Sequence, residues 1–230
     1  MLENLKQEVL QANFDIVKHG LVLLTWGNVS AYDEKSGYMV IKPSGIPYDR
    51  MLIDDMVVVD LDCNRIEGNR KPSSDTPTHA ELYKELAGVK SIVHTHSKWA
   101  TSWAQANRSI PAIGTTHADH FDGDIPCTRR LSKSEIDREY EKETGLVIVE
   151  TLRERGITAL GVGAVVVANH GPFSWGTSCD KAVENSVVME YVAEMAFISQ
   201  NLNPQVDMQK QLLNKHFSRK HGKCAYYGQT

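Results

Sequence analysis

The sequence predicts an α/β fold: a single α/β/α layered domain, residues 1–230, around a central, mostly antiparallel sheet. Three observations predict it. Short β-branched runs alternate with tight turn chemistry, long helical patterns flank them, and no repeat, low-complexity segment or linker divides the chain. A length of 230 residues with 41% apolar and 23% charged residues suits one domain able to bury a full core.

Each element follows from local chemistry. Residues 2–17 set Leu2, Leu5, Val9, Ala12 and Ile16 at helical spacing, with Gly20 as a stop. Leu21–Thr25, Tyr38–Ile41 and Met56–Leu61 read as antiparallel strands separated by turns such as Lys35-Ser36-Gly37 and Pro43-Ser44-Gly45. Thr76-Pro77 marks a helix start, Ser91–His96 a buried strand, and Lys98–Asn107 the helix after it. Ser132 and Glu135 form a capping box for one long charged helix ending near Arg155. Gly163–Ala168 is a β-branched strand, Asp180–Gln200 a long helix, and Pro204 precedes a last helix and an irregular tail.

Composition excludes several function classes. The formal charge of −4 and the scattered basic residues offer no continuous surface for nucleic acid. Apolar runs fall short of the ~20 residues that span a bilayer, so no membrane contact is expected. Glu3, Lys6, Glu8 and Asp15 make the first segment neither a signal peptide nor an anchor. Cys63, Cys127, Cys179 and Cys224 stand far apart without a C-x-x-C pair and read as free thiols of a cytoplasmic protein. Neither a Walker loop nor G-x-G-x-x-G occurs, which argues against nucleotide binding.

The strongest chemical signal is Ser91-Ile-Val-His-Thr-His96, because alternate strand residues share a face and can present His94 and His96 to one ion. His170 follows the apolar run Val165-Val-Val-Ala-Asn and precedes Gly171-Pro172, where a strand gives way to a loop. Three histidines with one position left for substrate describe an open, catalytic metal site, with Asp75 as a fourth ligand at rest. Zinc is expected, one ion per subunit, and Mn2+ or Co2+ would accept the same nitrogens. An H-x-H pair alone is also an ordinary core or surface feature, so placement at strand ends carries the inference.

Thr25-Trp-Gly-Asn-Val-Ser30, Lys42-Pro-Ser-Gly45 and Pro72-Ser-Ser-Asp75 are short polar loops after apolar segments. Gly27 and Gly45 let backbone approach an anion, Asn28, Ser44, Ser73 and Ser74 donate hydrogen bonds, and Lys42 supplies charge. Each is also an ordinary turn when taken singly. Ser73 and Ser74 stand beside Asp75, so a phosphate held there would deliver the rest of a molecule to the metal.

Together Thr25-Trp-Gly-Asn, Lys42-Pro-Ser-Gly, Ser73-Ser-Asp, His94-Thr-His and His170-Gly-Pro resemble the L-ribulose-5-phosphate 4-epimerases of the class II aldolase family along nearly the whole chain. Gly114-Thr-Thr-His-Ala-Asp119 and Ala225-Tyr-Tyr-Gly-Gln229 resemble the segments that carry the family's acid/base pair, which falls on Asp119 and Tyr227. The resemblance implies a class II aldolase-like fold and a fourfold homotetramer. In it Asp119 and Tyr227 reach the zinc of a neighbouring subunit, and Asn28, Ser44, Gly45, Ser73 and Ser74 bind phosphate. Thr115 and His216 also match positions near the substrate. One departure is visible: the residue after the acid/base aspartate, commonly tyrosine, is His120 here, whose ordinary pKa lies near neutrality.

The implied reaction interconverts L-ribulose 5-phosphate and D-xylulose 5-phosphate, as used in arabinose or ascorbate catabolism. The hydrogen on carbon 4 is not adjacent to the ketone, so its direct removal has no electron sink. The carbon-4 hydroxyl is β to the carbonyl, and its deprotonation can instead break the carbon 3–carbon 4 bond in a retro-aldol step. The nearest rival is a related aldolase that releases its products. Such aldolases resemble a glutamate at position 75 that acts as base, whereas the shorter Asp75 suits a place on the metal. An adducin-like scaffold without chemistry is disfavoured by the intact histidines, and a closed structural zinc site by the lack of cysteine near them.

Overall fold

The computed structural model describes residues 2–222, Ala225 and Tyr226. The chain runs through α1 (Glu3–Lys18), β1 (Asn28–Asp33), β2 (Tyr38–Ile41), two single 3-10 turns, β3 (Val57–Asp60), β4 (Arg65–Glu67), α2 (Thr76–Glu85) and β5 (Ser91–His94). It continues with α3 (Lys98–Gln105), α4 (Thr115–Ala118), α5 (Lys133–Asp137), α6 (Tyr140–Glu154) and α7 (Ala159–Val162), then β6 (Ala164–Val166), β7 (Pro172–Gly176), α8 (Cys179–Leu202) and α9 (Lys210–His221). The strands form a seven-stranded sheet of order β4-β3-β2-β1-β5-β7-β6. Every neighbouring pair in it is antiparallel.

Strand periodicity divides the core into two layers. Successive side chains point to opposite faces, so Val57 and Val59 pack with Leu82 of α2 and Ile148 and Leu152 of α6. Val58 between them packs on the other face with Val9, Ala12 and Ile16 of α1. That second layer continues across α8 to α3, where Trp103 and Met189 cover Ala164 and Val166 of β6. The expected α/β/α arrangement is therefore present. β2, β3 and β6 read as apolar runs because both of their faces are covered.

Several elements depart from expectation. Leu21–Thr25 is not a strand: the chain turns there, Trp26 N–H donating to the Leu23 carbonyl at 3.0 Å, and Leu23 and Leu24 are exposed. The strand lies just beyond, where Asn28, Val29, Ser30 and Ala31 alternate polar and apolar. Val29 and Ala31 pack toward α1, while the Ser30 hydroxyl meets Tyr83 of α2. The single helix expected to end near Arg155 is two, because Arg138 takes ψ −121° and breaks the turn between α5 and α6. The Ser132–Glu135 capping box is formed, opening α5. Gly163–Ala168 contributes only β6, and β4, β7 and α4 had no sequence expectation. Cys63, Cys127 and Cys179 are free thiols, and Cys224 lies outside the described residues.

Candidate active site

Strand register builds the first part of the site. Asn28 at the start of β1 pairs with His94 at the end of β5, and His94 pairs in turn with Phe173 of β7. The His94 ring stacks on Phe173 at 4.1 Å between centroids, and its Nδ1–H donates to the Pro172 carbonyl at 3.0 Å. That bond leaves the Nε2 lone pair of His94 for a metal. His96 lies two residues beyond the strand end rather than within it, yet its Nε2 comes to 3.2 Å from His94 Nε2. His170, in the turn between β6 and β7, completes a group whose ligand atoms all lie within 4.8 Å of one another. Nitrogens about 2.0–2.1 Å from a tetrahedral ion stand roughly 3.4 Å apart, so the His94–His96 pair at 3.2 Å has the spacing of two metal ligands, and His170 would move closer to complete the set.

Electrostatics suits the same use. Burial, aided by the neighbouring imidazoles of His94 and His96, pushes His170 down to about 3. Burial and His94 likewise lower His96. Neutral imidazoles keep the lone pairs that ligation needs. Asp75, at the N-terminus of α2, lies 4.0 Å from His94 and accepts from Asn28 Nδ2 at 2.6 Å. Burial opposes its charge, but the imidazoles of His94 and His79 and the Asn28 amide hold its pKa below the usual carboxylate range.

The polar loops meet beside these ligands. Ser73 N–H donates to the Lys42 carbonyl and Ser44 N–H to the Lys71 carbonyl, at 3.0 and 2.9 Å, which sews the second and third loops together. Gly27 takes φ +97°, and a Cβ there would stand 2.8 Å from the His94 carbonyl oxygen, so the first loop is pressed against the metal-bearing strand. Tyr48 Oη locks that loop by donating to the Gly27 carbonyl at 2.8 Å. Lys42 is 2% exposed, with its Nζ 4.8 Å from the centroid of the Tyr48 ring. Burial, only partly opposed by Asp75, pushes its pKa down to about 8.

Gly27, Asn28, Lys42, Ser44, Gly45, Ser73, Ser74, Asp75, His94, His96 and His170 thus line one cleft of about 640 Å3. Trp26, Tyr140 and Glu141 line it too. No signal for Tyr140 or Glu141 is visible in the sequence, where both sit in a run of charged residues. His79 carries no sequence signal either: it is wholly buried, shares a 2.7 Å hydrogen bond with Ser30 Oγ, and is pushed down to about 3 by burial.

Thr115, Asp119 and His216 do not line that cleft; they gather where α4 meets α9. Asp119 accepts from His216 Nδ1 at 2.9 Å and from Arg219 Nη2 at 3.0 and 2.9 Å through its two oxygens. Burial would raise its pKa, and the hydrogen bonds from Arg219 and His216 outweigh it and lower it. His120 is pushed down to about 4 by burial and Lys220. Tyr227 lies outside the described residues.

Residues 7–197 match the class II aldolase and adducin N-terminal domain. The chain is 55% identical to the L-ribulose-5-phosphate 4-epimerase UlaF of Salmonella paratyphi C (strain RKS4594) over 99% of this chain and 100% of the relative. The UlaF of Salmonella typhi is similar to the same extent, 55% over 99% and 100%. Among solved structures, an L-fuculose 1-phosphate aldolase superposes with TM-score 0.80 at 25% identity, covering 94% of this chain and 95% of its own. The L-fuculose 1-phosphate aldolase from Glaciozyma antarctica PI12 superposes with TM-score 0.76 at 16% identity, covering 94% and 81%, and speaks for the fold alone.

Proposed function

We propose that this chain, which belongs to the class II aldolase and adducin N-terminal domain family, is a metal-dependent L-ribulose-5-phosphate 4-epimerase. The observation that carries the reaction class is the meeting of three imidazoles and a buried lysine in one cleft. The choice of epimerisation is supported by full-length similarity to the Salmonella epimerases. We read residues 1–230 as one catalytic domain of a cytoplasmic homotetramer. Exposed apolar residues on α8, Phe197, Ile198 and Leu202 among them, are consistent with a face that another subunit covers. Among the described residues, no helix is long and apolar enough to cross a membrane.

A divalent metal, read as zinc, held by His94, His96 and His170 with Asp75 at rest, supplies a Lewis acid for the negative charge that develops on the ketone oxygen. Lys42, Ser44, Gly45, Ser73 and Ser74 grip the substrate phosphate, with Gly27 and Asn28 closing the cradle. A base takes the proton from the carbon-4 hydroxyl, the carbon 3–carbon 4 bond breaks, and its electron pair passes to the ketone as an enediolate. The phosphate cradle retains the resulting aldehyde while it turns its other face. The same bond then re-forms with inverted configuration, and a proton returns to the carbon-4 oxygen. Asp119 and Tyr227 of a neighbouring subunit are assigned these proton transfers, one on each face. Thr115 and His216, gathered with Asp119, complete the contribution from that subunit.

A product-releasing aldolase is the second reading, favoured by the superposition on an L-fuculose 1-phosphate aldolase. Conversion of L-ribulose 5-phosphate before and after chelation separates the two. Metal-dependent D-xylulose 5-phosphate is the expected outcome; sustained release of dihydroxyacetone would make the chain an aldolase, and no reaction would overturn both.

A further inference from the structure

A group beside His170 comes from a helix with no sequence signal for the site. Tyr140 is the first residue of α6, and its hydroxyl lies 3.3 Å from His170 Nδ1. The phenol also lines the cleft, tilted at 33° to the imidazole with 6.1 Å between ring centroids. The start of α6 is itself anchored. Thr78 Oγ1 of α2 donates to the Glu141 carbonyl, and Thr144 Oγ1 donates to the Tyr140 carbonyl. Gly145 lets the two helices close together, since a Cβ there would stand 2.9 Å from Glu81 Cβ and 3.0 Å from the Thr78 carbonyl oxygen. The helix capped by Asp75 therefore fixes the helix that begins at Tyr140.

We propose that Tyr140 is a positioning residue of the metal centre: its hydroxyl oxygen accepts the Nδ1–H of His170, which sets that tautomer and turns Nε2 toward the ion. Pro172 does the same for His94 through a backbone carbonyl. His170 sits in a turn and has no strand register to hold it, so a side chain from another layer does the work. Outer partners of this kind typically contribute about 10- to 100-fold in metal affinity. The inference rests on the metal-centre reading above.

The test compares the unaltered chain with Tyr140→Phe, which removes the oxygen and keeps the ring. Cobalt(II) binding is followed by visible absorption and by competition with a chelator, with thermal unfolding recorded alongside. The expected result is cobalt affinity about 10- to 100-fold lower in the variant, with an altered absorption band and little change in unfolding temperature. Equal affinity and identical bands would overturn the inference while leaving the metal centre standing. An unaltered chain that binds no cobalt would overturn both. A second measurement needs no variant: nitrogen-15 NMR of the zinc-loaded protein should find the His170 ring proton on Nδ1, and a proton on Nε2 would overturn the assignment.

Discussion

Lys42 is a residue whose chemistry the fold alters. Buried beside the Tyr48 ring, it donates one hydrogen bond among the described residues, to the Pro43 carbonyl at 3.3 Å, which leaves ammonium protons to offer a ligand. With its pKa pushed down to about 8, the ammonium is intact below that value and lost above it. Phosphate-ester binding should therefore weaken as pH rises through about 8, measured as a Kd by calorimetry in the metal-loaded protein. Lys42→Met should weaken binding by about tenfold or more and flatten that limb of the pH profile. Gly27 carries a different constraint. Gly27→Ala forces a side chain into φ +97° and against the His94 carbonyl, at a cost of about 1–3 kcal/mol, readable as a fall in the denaturant midpoint.

At the scale of elements, helix ends decide where the site residues stand. The first turn of α3 begins two residues after His96, and two of its orphan donors are met from another helix: Trp99 N–H and Ala100 N–H donate to the Glu190 carboxylate of α8 at 2.8 and 2.9 Å. Glu190→Ala should cost about 1.5–3 kcal/mol in equilibrium unfolding and loosen the metal, whereas Glu190→Gln should cost less because one acceptor oxygen remains. Elements with strong local patterns were legible in the sequence. The first helix, the Tyr38–Ile41 strand, the Thr76-Pro77 start and the long helix near the C-terminus all appear close to their expected bounds. Leu21–Thr25 is apolar but lacks strand alternation, and the chain turns there instead of pairing. The polar-apolar alternation of a half-shared strand begins at Asn28, immediately after the glycine that turns the chain.

For the whole molecule, the groups assigned to the reaction occupy two places. The metal and phosphate residues share one cleft, while Asp119 and His216 lie together at the α4–α9 contact. A site completed between subunits should show complementation. Two inactive proteins, His94→Ala and Asp119→Asn, should regain activity when their subunits are exchanged, reaching about a quarter of the full value if mixing is random. No recovery after demonstrated exchange would argue for a site built within one subunit. Metal removal should also be felt globally: an ion bound at about 1,000 times its Kd stabilises by about 4 kcal/mol, so chelation should lower the unfolding temperature and zinc should restore it.

The sequence by itself determined the chemistry on offer: an imidazole pair at a strand end, a third before Gly171-Pro172, and three polar loops with one lysine. These are short, contiguous patterns, and their side-chain functions do not depend on distant neighbours. Tertiary structure alone decided which of them meet. Residues 28 and 94 meet because β1 and β5 lie side by side in register, and pairing between strands far apart in the chain leaves no local mark; residues 75, 96 and 170 are brought to them by the start of α2, the segment after β5 and the turn before β7. Burial, which lowers Lys42 and His170, is likewise a property of the packed layers, as is the helix contact that carries Tyr140 to His170.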